Sequence, residues 1–319
     1  MGTSTRTRPG PIINIMAAQS IGKNHGTLKR LRQHVNPLAA KFRRHLPSTN
    51  WRTVLADVET RPLHVDLGAN VGSWVEQRSR ARRCDNFVGI EIRPALVDIA
   101  LERTLAYRED ANGPRNLHYV AANVNFAVDH IFTELAESNA SLRSVSVMHP
   151  DPWFKRRHRK RRMFTPELIA SVVNALETNG RFLVQSDVRA TFDDLCAMVS
   201  CTANPSCSSS SSSSSSAREE EARSANAQQL KLQQDPASSS SSSNNNNCNN
   251  SNSGGGGGGG SVDTTWVMER DESIAIDDPS DSFFRDAESG ACLRTEREQS
   301  TLARGEPVYR AAFVKVSVE

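Results

Sequence analysis

Between residues 63 and 199 short apolar runs alternate with amphipathic stretches, and this alternation restricts the fold more than any other feature of the chain. The runs at 63–67, 86–92, 117–121, 145–148 and 180–186 are short, rich in Val, Ile, Leu and Phe, and read as buried strands. The stretches between them are predicted helices, running to about 82, from Pro94, from about 126 to 137, from Thr165-Pro166-Glu167 to about 176, and on to about 199. Pro94 suits a first helical position, and Leu96, Val97, Ile99 and Ala100 supply the apolar face behind it. A further strand is predicted over 307–316. Repeated units of this kind imply an α/β fold, a doubly wound and mostly parallel sheet with helices on both faces. Such sheets bind ligands at the carboxyl ends of their strands. Asp66, Glu91, Asn123, Asp151 and Asp187 all fall there. Any one of them alone is explained as a cap or turn residue, but five at corresponding ends point to a site.

The alternation stops at about 200. Serine fills 208–216 and 238–243, asparagine dominates 244–250, and glycine fills 254–260. Such tracts bury too little apolar area to offset ordering entropy, so 201–261 is expected to be disordered. The expected organisation is a basic extension over 1–27, a folded part over 28–200, the insertion over 201–261, and a C-terminal part over 262–319 that completes the sheet. Loop-closure cost grows slowly with length, so a long insertion at this place is tolerable.

The net charge is only +3, but it is unevenly placed. Residues 1–56 hold ten Lys or Arg and no acid, and 155–162 holds seven Lys or Arg together with His158. Two cationic zones on a nearly neutral chain suggest a local polyanion site. A nuclear-import signal or a solvated face is the other reading of the second zone. The acid-free N-terminus reads as an organelle transit peptide, as an RNA-contacting arm or as a plain tail. The six cysteines (Cys84, Cys196, Cys201, Cys207, Cys248 and Cys292) show no C-x-x-C spacing. That argues against a zinc site and a disulfide framework and fits a reducing compartment, so no metal is expected. No apolar run approaches the length of a membrane-spanning helix.

Two segments carry chemistry. In His149-Pro150-Asp151-Pro152-Trp153-Phe154, which leads into the basic run, the prolines fix φ and remove backbone donors, so Asp151 sits in a rigid turn. Trp153 or Phe154 either stacks on a base or belongs to the core. In Asp66-Leu67-Gly68-Ala69-Asn70-Val71-Gly72, Gly68 permits a tight turn, Gly72 a close approach of helix and ligand, and Asn70 a left-handed φ. This loop lacks the G-x-G-x-x-G spacing that cradles a dinucleotide pyrophosphate. Glu91, closing the second strand, is placed to accept hydrogen bonds from two ribose hydroxyls. Asn123 reaches an adenine edge or caps the next helix.

The segments 32–38, 66–72, 89–94, 116–118 and 150–155 together resemble the tRNA (guanine-N7)-methyltransferases in their bacterial and plastid form. Arg161-Arg162, 166–168, 185–187, Thr295-x-x-Glu298 and 307–310 extend the likeness, which covers roughly 28–200 and 290–316. The resemblance implies a Class I methyltransferase, a Rossmann-like seven-stranded sheet. Its reaction would be methyl transfer from S-adenosyl-L-methionine to N7 of guanine at position 46, in the tRNA variable loop. On this resemblance Asp66, Gly68, Glu91, Asn123 and Asp151 bind the cofactor, Asp151 is also the catalytic acid, and Lys155, Asp187, Thr295 and Glu298 contact substrate. Residues 155–162 and Lys29, Arg30, Arg32, Lys41, Arg43 and Arg44 would grip tRNA phosphates. A monomer or homodimer without an obligatory partner subunit is implied, in a plastid or other organelle, with cytoplasm and nucleus as alternatives. The chain departs from the family at Asn70, where Gly or Arg is common, and at His149, where Phe is commoner. Two other readings stand beside this one. A catalytically inactive tRNA- or RNA-binding protein of the same fold would not bind S-adenosylmethionine. A methyltransferase of small molecules or proteins would show no salt-dependent affinity for tRNA.

Overall fold

The computed structural model describes residues 34–43, 46–109, 115–203, 266–270 and 293–317. The basic extension over 1–27, most of the Ser/Asn/Gly insertion, and Lys29, Arg30, Arg32 and Arg44 lie outside the described residues. The chain divides into two compact units, 1–36 and 37–319, and the second holds every element described below.

Strands β1 (Pro62–Leu67), β2 (Asn86–Glu91), β3 (Leu117–Ala121), β4 (Ser141–Met148) and β5 (Arg181–Ser186) pair in parallel. Two more, β6 (Trp266–Arg270) and β7 (Tyr309–Ser317), complete a seven-stranded sheet of order β3-β2-β1-β4-β5-β7-β6. β7 runs antiparallel to both of its neighbours. From β1 the chain moves outward to β3, then returns to β4 on the other side of β1. That reversal opens a crevice at the carboxyl ends of β1 and β4.

The helices are α1 (Trp51–Val54), α2 (Ser73–Ala81), α3 (Pro94–Glu109), α4 (Val124–Glu137), α5 (Pro166–Ala175), α6 (Arg189–Ala203) and α7 (Glu296–Ala303). They cover both faces, which is why the central strands are apolar almost throughout. On one face Ile131, Ile169, Val172 and Val199 pack with Val65, Val88, Phe182 and Phe313. On the other, Trp74, Val75, Val97 and Ala100 pack with Phe87, Leu117, Tyr119 and Leu183. The strand period of two sends Phe87 to one core and its neighbour Val88 to the other. Local signals set the helix starts. Thr165 accepts from the Leu168 amide with Pro166 at the first position, and Asn123 accepts from the Asn125 amide. Among the described residues no helix is long and apolar enough to cross a membrane.

The structure differs from the sequence reading at several element ends. β4 begins at Ser141, not 145, because Ser144 and Ser146 bury their hydroxyls on His64 and Asp66 and so sit in a central strand at no desolvation loss. α4 begins at Val124, two residues before the expected start, because Asn123 is its cap. α6 continues through Ala203, past the expected end and into the tract read as disordered from 201. No strand was expected over 266–270, yet β6 forms at the sheet edge on β7. The polar cluster at 295–298 opens helix α7, whose cap is Thr295.

The returning C-terminal part belongs to the main core. Phe313 of β7 is 1% exposed and lies opposite Phe182 of β5. Phe313→Ala should cost about 3–5 kcal/mol, read by denaturant unfolding as one cooperative transition at lower midpoint. A second transition, with the main one unmoved, would show that the return segment folds apart from the sheet.

Candidate active site

The loop after β1 turns sharply over β2. The Gly68 and Ala69 amides both donate to the Ile90 carbonyl, at 2.8 and 3.0 Å. Gly68, Asn70 and Gly72 all have left-handed φ, of 86°, 54° and 75°. A Cβ on Gly72 would sit 2.4 Å from the Tyr119 ring, whose hydroxyl donates to the Gly72 carbonyl. The close approach at Gly72 is therefore to the Tyr119 side chain, where the sequence reading expected a helix and ligand. On Gly68 a Cβ would meet only the flexible end of the Met163 side chain, at 3.6 Å and beyond, so its left-handed φ is the reason for glycine there.

Glu91 stands beside this loop at the end of β2, 3% exposed. Its Oε2 accepts from the Asn70 amide at 3.0 Å, and its Oε1 from the Arg93 amide and Nε at 3.1 and 2.7 Å. Arg93 also donates to the Asn70 side-chain oxygen at 3.0 Å, so the residue that departs from the family ties the loop to Arg93. Asp66 lies lower. Its Oδ1 accepts from the Ser146 hydroxyl at 2.6 Å, and it lines a small internal cavity with His64, Arg78 and Ser146. Burial pushes its pKa up to about 7, against the Ser146 hydrogen bond and the Arg78 charge. His64 beside it is pushed down to about 4, again chiefly by burial. Asn123 is 7% exposed, caps α4 through its oxygen, and donates through Nδ2 to the Pro37 carbonyl at 2.9 Å. Its capping role is present, and a tie to Pro37 is added to it.

The Pro150-Asp151-Pro152 turn leaves β4 between two left-handed residues, His149 at φ 51° and Trp153 at φ 41°. The Pro152 carbonyl accepts from Arg162 Nε at 3.0 Å, and Arg162 also reaches Asp194 at 3.1 Å. Residues Arg156–Arg161 wind into a 3-10 helix with none of its side chains buried, and Lys155 is exposed at its start. Arg161 lies over the Trp153 ring at 5.3 Å, and His158 meets it edge-on at 5.6 Å. Trp153 thus organises its own basic run, while Phe154 is 43% exposed. At the start of α4, Arg43 lies over the exposed Phe126 ring, and Asn125 donates to the Arg162 carbonyl at 3.3 Å. The first turn of α4 therefore touches Arg43 of the first cationic zone and the Arg162 backbone of the second.

Asp187, at the end of β5, accepts from His149 at 3.3 Å, from Arg297 at 2.7 Å and from the Thr301 hydroxyl at 3.4 Å. Burial opposes its charged form, but His149 and Arg297 outweigh it and hold the carboxyl well below the usual range. Glu298 is 1% exposed and binds Arg310 through one oxygen and Gln185 through the other. Thr295 directs its hydroxyl to the Glu298 amide. The structure brings Asp187, Thr295 and Glu298 into one corner but keeps Glu298 inside it. Sequence reasoning gave no role to Arg93, Gln185, Arg297 and Arg310, although 89–94, 185–187 and 307–310 are among the segments that carry the resemblance. A second signal was the placing of Gln185 and Arg310 among the apolar residues of two predicted strands.

Asp66 gives a pH test. Its folded pKa lies above the ordinary 3.8, so the folded chain binds the proton more tightly than the unfolded one. Its contribution to stability is full below about 3.8 and is lost as pH rises to about 7. Asp66→Asn keeps an acceptor for Ser146 and removes the titration. Between those pH values the unfolding free energy of the variant should rise relative to wild type by on the order of a few kcal/mol. A difference independent of pH would mean that folding does not raise the Asp66 pKa.

A family model described as a putative methyltransferase matches residues 60–234. The tRNA (guanine-N(7)-)-methyltransferase of Synechocystis sp. is 42% identical over 166 residues, which is 52% of this chain and 74% of that protein. The protein of the same name from Thermosynechococcus vestitus is 41% identical, over 50% of this chain and 70% of its own length. Both relatives are cyanobacterial. A family model spanning more than half of the chain, and relatives matched across most of their own length, agree on one assignment: this chain belongs to the tRNA (guanine-N7-)-methyltransferase family.

Proposed function

We propose that the chain transfers a methyl group from S-adenosyl-L-methionine to N7 of guanine 46 in the tRNA variable loop. One observation carries this reading. Leu67 pairs with Val147, so the glycine loop after β1 and the Asp151 turn after β4 emerge side by side, with the basic 3-10 helix continuing from that turn. A place for a nucleoside, a rigid carboxylate and a phosphate grip thus adjoin.

The residues fit the cofactor. Glu91 offers a carboxylate beside a left-handed loop, and its partner Arg93, 20% exposed, stands at the edge of the site. In this reading Glu91 holds the ribose, Asn123 lies toward the adenine, Gly68 keeps the loop backbone open, Asp66 supports it from below, and Asp151 borders the reacting end. Bound there, the cofactor supplies an electrophilic methyl group on a sulfonium. N7 of guanine has a lone pair and no proton, so the chain needs no general base. Its task is alignment. Asp151, held between two prolines, offsets the positive charge that develops on the purine, or accepts from the guanine N1–H and N2–H groups. Phe154, exposed next to the turn, is the aromatic available to a splayed base. Lys155 and the run behind it take the phosphates. Asp187, with Thr295 and Glu298 behind it, forms the wall on the guanine side. The likeness to cyanobacterial relatives supports a plastid or other organelle.

Purified protein, labelled S-adenosylmethionine and tRNA lacking the modification should yield N7-methylguanine at position 46, mapped by chemical cleavage at that base. Cofactor binding without methylation of any tRNA would overturn the substrate, and no cofactor binding would overturn the enzyme reading altogether. Asp151→Ala should lower methyl transfer by about 10²–10³-fold with tRNA affinity within a few-fold. A large loss of affinity with turnover retained would remove Asp151 from the chemistry. Replacing Arg156, Arg157, Arg159 and Lys160 by Gln should weaken tRNA binding and flatten its log–log salt dependence by up to about 3. An unchanged slope would assign the run to another partner.

A further inference from the structure

The methyl-transfer chemistry assigns nothing to His149, yet its ring is 6% exposed and hydrogen-bonded through both nitrogens. Nδ1 lies 3.3 Å from Asp187 Oδ1, and Nε2 lies 2.8 Å from the Gln185 amide nitrogen. The polarity of this row is fixed from its far end. Arg310 is a donor only, and its Nε points at Gln185 Oε1 at 2.9 Å. Glu298 Oε2 accepts from the Gln185 amide nitrogen at 3.1 Å. Flipping the Gln185 amide would set its NH2 against the guanidinium and its oxygen against the carboxylate. Gln185 is fully buried, so no water relieves such a mismatch. The amide therefore gives one N–H to Glu298 and the other to His149 Nε2. That ring nitrogen must accept, which leaves the imidazole proton on Nδ1, facing Asp187.

We propose that Arg310, Gln185 and His149 form a hydrogen-bond relay that fixes His149 as its Nδ1–H tautomer and through it orients the Asp187 carboxylate beside the Asp151 turn. His149 is then a positioning residue. It adjoins Pro150, and its amide donates to the Gln185 carbonyl at 2.8 Å, so it anchors the entry of the turn as Arg162 anchors the exit. Asp187 is oriented from two sides, by His149 on Oδ1 and by Arg297 and Thr301 on Oδ2. The tautomer follows from this geometry alone. Its consequence for tRNA rests on the proposed function.

The full-length protein, labelled with ¹⁵N in its histidine rings, tests the two parts separately. The chain has eight histidines, so the His149 signals are assigned by their loss in His149→Phe. A two-bond ¹⁵N–¹H correlation spectrum should show His149 protonated on Nδ1 and bare on Nε2. A proton on Nε2, or on both nitrogens, overturns the relay whatever the activity. For the positioning role, His149→Phe keeps an aromatic ring and loses the donor, whereas His149→Asn keeps an N–H and tolerates left-handed backbone. The Phe variant should lose about tenfold in kcat/KM for tRNA, with the KM for S-adenosylmethionine within twofold, and the Asn variant should recover most of that loss. Equal activity in the Phe variant and wild type overturns the positioning role. So does an equal loss in both variants accompanied by a lowered Tm, which would reduce the ring to packing. An Nδ1–H tautomer in a protein inert toward tRNA supports the relay and sinks the proposed function instead.

Discussion

The site depends on a single placement, β1 between β2 and β4 in parallel. Parallel strands present their carboxyl ends together, and the chain leaves β1 and β4 in opposite directions from that point. Helices on both faces then cannot close the gap between the two exits. The glycine loop, Glu91 and the Asp151 turn are brought to one crevice by this topology, although as many as 85 positions separate Asp66 from Asp151 in sequence. Polar groups beneath the crevice are matched. Ser144 and Ser146 on β4 meet His64 and Asp66 on β1, so a central strand carries hydroxyls without leaving donors unmet.

A second constraint closes the far side. The sheet is completed by a segment that returns from beyond the low-complexity tract, and buried charge fastens it as well as apolar area. Glu298 and Arg310 face each other with almost no exposure, and Gln185 of β5 links both. Replacing a pair of this kind by apolar residues is often neutral for stability, whereas removing one partner is costly. The retained pair is thus better explained by orientation than by stability, and the ordered polarity running from Arg310 to Asp187 is what such orientation looks like.

The cationic surface is also shaped by more than charge. Trp153 packs against Arg161 and His158 and so fixes part of the basic run. Asn125 and Phe126 at the start of α4 join that run to Arg43. Seven Lys or Arg in eight residues would repel one another as a free tail, and here Arg161 is held over the Trp153 ring and Arg162 on the Pro152 carbonyl, while Lys155, Arg156, Arg157, Arg159 and Lys160 are exposed.

The order of strands and helices from 62 to 203, the glycine loop, the strand-end acids and the rigid Asp151 turn were legible in the sequence, because periodicity, proline and left-handed glycine positions are local properties. Boundaries failed where tertiary partners rescued a polar residue, as at Ser144 in β4, or where a short edge strand stood isolated after the low-complexity tract, as at β6. The roles of individual polar residues were less legible. Glu91 was readable as an acid at a strand end, but not its tie to Arg93. Thr295 and Glu298 were readable as a pair, but not the burial of Glu298 against Arg310. His149 read only as a departure from its family, and its tautomer is set by a residue 161 positions away in the chain. Composition and spacing determine which elements form and which chemical groups the chain owns. Which group faces which, and with what polarity, is decided only when distant strands pair, because hydrogen-bond partners are chosen by distance in space and not along the chain.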